Sequence, residues 1–182
     1  MKAAPIQMNQ LSFRRVSVEL DVKRFEEGGY EKAIGSFDFE NVVIATHVGF
    51  APMEESATPQ RSFLLTLQVV INNQEELSGE TTRFSPYLVD IEAGAVIRVA
   101  AGAEALGHIE DLAIVNGTSL LWSAIREQVC SLTARMPAGL ATLPTVNFHD
   151  LRKDRQPKAD DPTPKARKRS VPKKAASGES GT

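Results

Sequence analysis

The sequence predicts an α+β domain, an antiparallel sheet built first and helices then laid on one of its faces. Three observations lead there. Apolar residues recur with period two through the first part of the chain, most cleanly at Phe63, Leu65, Leu67, Val69 and Ile71. Helical periodicity enters only after Glu104. The strands also alternate apolar with polar residues, the pattern of a sheet covered on one side only.

The first strand is read at residues 16–22, where Val16, Val18, Leu20 and Val22 share one face. Gly28-Gly29 closes it as a turn. Residues 34–50 are again β-rich, but parity changes inside them. Phe37 and Phe39 fall on odd positions, whereas Val42, Ile44, Val48 and Phe50 fall on even ones. That requires either a bulge near Glu40-Asn41 or two separate strands. Residues 51–61 hold two prolines and read as a loop. Residues 63–71 form the strongest strand, ended by a turn at Asn72-Asn73-Gln74. The last long strand spans about residues 84–99, with Tyr87, Val89, Ile91, Ala93, Ala95, Ile97 and Val99 on one face and a bend or bulge expected at Gly94.

Two helices are expected next. The first covers residues 104–115, with Leu106, Ile109, Leu112 and Ala113 as its stripe. Asn116 or Thr118 would cap the second, residues 119–136, whose stripe is Leu121, Ile125, Val129, Leu132 and Met136. Leu120, Trp122 and Cys130 add apolar surface outside that stripe, which suits a helix with two partners, its own sheet and another subunit. Pro137 and Gly139 end it.

Charge divides the chain. Residues 152–182 carry ten Lys and Arg against four Asp and Glu, with no aromatic residue; residues 1–151 carry eleven against nineteen. A segment so poor in apolar side chains cannot offset its ordering entropy, so the folded domain is expected to be 1–151 and the basic tail 152–182 to be disordered. The tail could hold nucleic acid, anionic lipid or an acidic protein surface. It has no aromatics for base stacking.

Several function classes lose support. No run of about 18 apolar residues could span a bilayer. Residues 1–10 hold no apolar stretch of the signal-peptide kind. The single Cys130 makes no intramolecular disulfide, in keeping with a reducing, cytoplasmic setting. His47, His108 and His149 lack metal-ligand spacing. There is no Gly-rich phosphate loop and no nucleophile elbow. No catalytic residue, cofactor or metal is therefore assigned, and the expectation is a protein that is not an enzyme.

A set of motifs in fixed order supplies a positive reading. Val16-Ser17-Val18-Glu19 opens the series, followed by Phe37-Asp38-Phe39 and then Leu88-Val89-Asp90-Ile91-Glu92-Ala93-Gly94. Leu120-Leu121-Trp122 precedes Arg126-Glu127, and Leu143-Pro144-Thr145-Val146-Asn147-Phe148 follows the helix. Together they resemble the SecB export chaperone family over about residues 8–151. The chain departs from that family in Ser123-Ala124 where Pro-Tyr is usual, in an insertion around residues 42–61, and in a basic tail where the family has an acidic one.

The resemblance implies a four-stranded antiparallel sheet with C-terminal helices on one face. It implies a homotetramer built as a dimer of dimers, with Leu121, Ile125, Arg126, Glu127 and Val129 at the oligomer interface. It implies an ATP-independent holdase for unfolded polypeptide, acting in protein export and translocation or for a dedicated client such as an antitoxin. The client groove would then include Phe37, Phe39, Val42, Ile44 and Trp122. Val146 and Phe148 would pin the post-helix loop to the body. A docking surface for the SecA motor would include Glu19, Leu88 and Asp90. Arg15 stands where the best-studied members have Asp, which reverses one charge of that surface.

Overall fold

The computed structural model describes residues 4–27, 36–53, 61–73 and 83–152. The turn at Gly28-Gly29, the acidic pair Glu54-Glu55, Gln74 and residues 153–182 of the tail lie outside these.

Five strands, two helices and a last short strand follow one another: β1 (Ile6–Leu20), α1 (Val22–Glu27), β2 (Phe37–Asp38), β3 (Ala45–Pro52), β4 (Arg61–Ile71), β5 (Tyr87–Val99), α2 (Ile109–Thr133) and β6 (Ala141–Thr142). The main sheet is antiparallel with strand order β1-β5-β4-β3. β2 and β6 pair in parallel as a separate two-residue ribbon. α2 packs on one face of the main sheet, across β1, β5 and β4. This is the α+β, four-stranded, one-face-covered arrangement the sequence predicted.

Period two decides the core. Tyr87, Val89, Ile91, Ala93, Ala95, Ile97 and Val99 of β5 are all at most 2% exposed. Phe63, Leu65, Leu67, Val69 and Ile71 of β4 face the same way and are equally buried.

β1 is far longer than residues 16–22, and the reason is two bulges. Register slips between Asn9 and Ser12 and again between Phe13 and Arg15, each adding one residue against β5. Ile6 and Met8 oppose the buried Val99 and Ile97, Phe13 opposes Ala93, and Val16, Val18 and Leu20 oppose Ile91, Val89 and Tyr87. The inward residues are thus even, then odd, then even, so no single alternation runs through the strand. The irregularity expected at Gly94 lies in its partner strand, where Gln10 adopts φ 52°. Val22 opens α1 and is exposed. The parity change within residues 34–50 resolves into two separate strands, β2 and β3.

The two expected C-terminal helices are one. Residues 103–106 form a single 3-10 turn, and α2 then runs 25 residues through Asn116-Gly117-Thr118 without a break. Asn116 Nδ2 donates to the Leu112 carbonyl at 2.8 Å, and Thr118 Oγ1 donates to the Ile114 carbonyl at 2.6 Å. Side chains suited to capping instead bond back along the helix. Gly117 has a tertiary reason to be there. A Cβ at this position would lie 2.7 Å from Leu65 Cδ2 and 2.8 Å from Ile97 Cγ1, so its absence lets the helix backbone rest on the sheet.

Past α2 the chain is tied back by specific polar contacts. Thr133 Oγ1 donates to the Val129 carbonyl at 2.8 Å and accepts from the Ala141 N–H at 2.9 Å, which anchors β6. Tyr87 Oη donates to the Gly139 carbonyl at 2.6 Å. Trp122 Nε1 donates to the Pro144 carbonyl at 2.9 Å, and its ring meets Phe148 edge-on at 5.8 Å. Phe148 therefore pins the post-helix loop, whereas Val146 is 38% exposed.

Candidate functional site

α2 has 25 residues and only one side on the sheet, so its outer surface is available to other contacts. On its N-terminal half that surface forms the wall of an open groove of about 490 Å³. The opposite wall is the start of β1, at Ala4, Pro5 and Ile6, and one end is closed by Leu106 of the 3-10 turn. Two features of the chain set these walls. Gly102, at φ 86°, and Gly107, at φ 144°, bracket the turn and swing Leu106 outward. The Ala100 N–H donates to the Pro5 carbonyl at 2.8 Å and holds the incoming chain beside the end of β5.

The groove is apolar and carries no charged lining residue. Leu106 is 65% exposed and Leu120 37% exposed; Ile6 and Leu112 are half-buried. Its polar residues are internally satisfied. Asn116 bonds to Leu112 as above, Ser119 Oγ donates to the Val115 carbonyl at 2.8 Å, and Ser123 Oγ donates to the Ser119 carbonyl at 2.9 Å. The wall thus offers apolar contact and small side chains that allow close approach, with little to select one sequence over another.

The residues assigned to a client groove lie elsewhere. Phe37, Phe39 and Trp122 are 5%, 2% and 4% exposed and belong to the core. Phe37 and Phe39 pack edge to face at 5.1 Å, and the Arg83 guanidinium caps the Phe37 ring at 4.3 Å. Val42 and Ile44 are half-buried. The aromatic pair is held inside because β2 is pinned by β6 from beyond α2, a long-range contact that local spacing does not reveal. Leu121, Ile125 and Val129 are fully buried against the chain's own sheet, so they have no surface to give another subunit. Arg126 is half-buried and Glu127 exposed. On the outer side of α2 the large apolar residues are Leu120 and Leu132, each 37% exposed.

The four outer-sheet residues lie on one face. Arg15 pairs in register with Glu92, and Glu19 with Leu88. Arg15 Nη1 reaches Asp90 Oδ2 at 2.7 Å, and Gln68 Nε2 donates to Asp90 Oδ1 at 2.8 Å. Arg14 meets Glu92 at 3.3 Å, and Ser17 Oγ donates to Glu19 Oε1 at 2.9 Å. The Gln68 hydrogen bond, seconded by Arg15, holds the Asp90 carboxyl below its ordinary range against the opposing effect of partial burial. The reversed charge at Arg15 is therefore used within the chain, as the partner of Asp90.

His47 lies exposed on β3, His108 precedes α2, and His149 lies in the closing 3-10 turn. Cys130 Sγ, half-buried, sits 3.5 Å from Thr142 Oγ1. Among the described residues no three His, Cys, Asp or Glu side chains form a group suited to a metal. No helix among them is long and apolar enough to cross a membrane.

The groove residues were only partly visible in the sequence. Leu120 stood out as apolar surface beyond the helix stripe. Leu106 was absorbed into a helix that does not exist, and Ile6 was hidden by the bulges of β1.

No family model matches the sequence, and no curated protein matches it. Among solved structures, a Streptococcus agalactiae protein of unknown function is similar with a TM-score of 0.48 at 12% identity, covering 81% of this chain and 100% of that one. A second is the Mycobacterium tuberculosis SecB-like chaperone in complex with a ChAD peptide from the HigA1 antitoxin. Its TM-score is 0.34 at 16% identity, covering 79% of this chain and 88% of that one. At these scores neither transfers residue roles.

Proposed function

We propose that this protein is an ATP-independent chaperone of SecB-like type, a holdase that captures apolar stretches of unfolded polypeptide. The observation that carries the reading is the uncharged groove beside Leu106 and Leu120. Burial of client side chains there would contribute about 25 cal/mol per Å² of apolar surface. One such groove gives weak binding. Several grooves on an oligomer, engaged by one long client, would give avidity without sequence preference.

A dedicated client is favoured over general export. The resemblance puts motor docking on the outer sheet face, and there Asp90 is already paired with Arg15 at 2.7 Å. A partner seeking an acidic surface would have to displace that pair. An antitoxin is one client class the resemblance allows.

The test is dilution of a chemically unfolded, unrelated protein into buffer with the full chain, followed by light scattering. The expected result is suppression near stoichiometry without ATP, weakened severalfold by Leu106→Glu, an exposed position whose substitution leaves the core intact. No suppression by the wild-type chain, or full suppression by a Leu106→Glu, Leu120→Glu double variant of unchanged circular dichroism, would overturn the reading. Added SecA should bind weakly, and more tightly to Arg15→Asp.

A further inference from the structure

The two edges of the main sheet are built differently. The β1 edge is broken by two bulges and bears Arg14, Arg15 and Glu19. Such features disfavour pairing with another strand. The β3 edge has neither device. Its eight residues, Ala-Thr-His-Val-Gly-Phe-Ala-Pro, include no Asp, Glu, Lys or Arg, and they pair with β4 in unbroken register from Ala45↔Val70 to Pro52↔Phe63. Among the described residues β3 has no other strand neighbour.

We propose that the free edge of β3 binds an extended segment of client polypeptide as a fifth strand of the sheet. This rests on the holdase reading for the identity of its occupant and adds a backbone-directed contact to the side-chain groove.

The ladder tells which groups are free. The Met53 N–H donates to the Ser62 carbonyl at 2.9 Å, one step beyond the Pro52↔Phe63 pair. Hydrogen-bonded pairs alternate along an antiparallel ladder, so Ala45, His47, Gly49 and Ala51 are bonded to β4. The N–H and C=O groups of Thr46, Val48 and Phe50 therefore point away from the sheet, to the open edge. Pro52 has no N–H to offer and ends the docking stretch.

The same three residues turn their side chains to the α2 side of the sheet. Val48 and Phe50 are half-buried, with Phe50 stacked on Phe63 at 5.1 Å. A strand added here would place its inward side chains next to Val48 and Phe50. The edge thus selects an extended chain with apolar residues at alternate positions and reads its backbone alone otherwise. The neutral edge sets no charge requirement. A second copy of the chain is the weaker occupant. Two β3 edges paired about Val48 would share a ladder of only five residues, well short of the roughly 1,200 Å² that stable interfaces bury.

Amide hydrogen exchange on the full chain tests this. The probe is a synthetic peptide of alternating valine and threonine with lysines at its ends, beside a twin N-methylated at alternate residues. Expected is slowing of exchange at Thr46, Val48 and Phe50 by about five- to tenfold, the effect of one net hydrogen bond. Ala45, His47 and Gly49 should be unchanged, and the N-methylated twin inert. A Val48→Pro chain should lose the peptide effect while still suppressing aggregation through the groove. Aggregation suppression without any protection at the three amides, or equal binding of both peptides, would overturn the fifth strand and leave the holdase reading standing. Protection already present without peptide and lost on dilution would assign the edge to a second copy and overturn the proposal.

Discussion

Leu64 and Leu65 are neighbours in β4, identical in chemistry and opposite in fate. Leu65 is 0% exposed under α2, while Leu64 is 39% exposed on the open face. The same contrast runs through β5, where Tyr87, Val89 and Ile91 are buried and Leu88, Asp90 and Glu92 face outward. One face is defined by volume and by a helix that fits it closely; the other is defined by hydrogen bonds and charge. Mutations should respect that division.

The largest effect is expected at Leu65. Leu65→Ala removes apolar burial and leaves a cavity beneath Gly117, costing about 2–5 kcal/mol. Leu64→Ala should cost under about 1 kcal/mol, since much of its surface is already wet. Urea denaturation of the two variants gives the comparison directly, and equal losses would refute the assignment of faces. Gly117→Ala comes next. Alanine gains about 1 kcal/mol of helix propensity over glycine. The added methyl must, however, displace Leu65 and Ile97 from 2.7 and 2.8 Å, in a core where overpacking costs about 1–3 kcal/mol. Net destabilisation is expected, with a partial return in a Gly117→Ala, Leu65→Val double variant. A more stable Gly117→Ala chain would mean the helix can lift off the sheet freely.

Position 117 also shows where the sequence stopped being readable. β4 and β5 were legible residue by residue, because both strands keep one register over their full length and period two survives. β1 was legible only after its second bulge. At 116–118, Asn, Gly and Thr carry every local sign of a helix break. Those signs were outweighed by a contact with strands distant in sequence, which has no local signature. The candidate site follows the same logic. Trp122 and the Phe37–Phe39 pair look like binding residues because they are large and aromatic, and the long-range pairing of β2 with β6 takes two of them into the core. The groove itself is made from a turn, a helix flank and a strand end that meet only in three dimensions.

The outer face should respond to pH more than to truncation. Asp90 lies below its ordinary value of 3.8, first through Gln68 and then through Arg15. A carboxyl whose folded value is depressed stabilises the fold above its unfolded value and loses that contribution as pH falls through the folded one. Its side chain is 35% exposed, so the contribution to stability is small and screened by salt. The titration itself is the sensitive readout. Carboxyl carbon NMR should show Asp90 titrating in the acid range below 3.8, with Gln68→Ala raising its midpoint more than Arg15→Ala does. The denaturation midpoint near neutral pH should barely move in either variant. If Arg15→Ala gave the larger shift, charge and not the amide hydrogen bond would govern this face. The pair would then also be more salt-sensitive, and easier for a charged partner to open, than its geometry indicates.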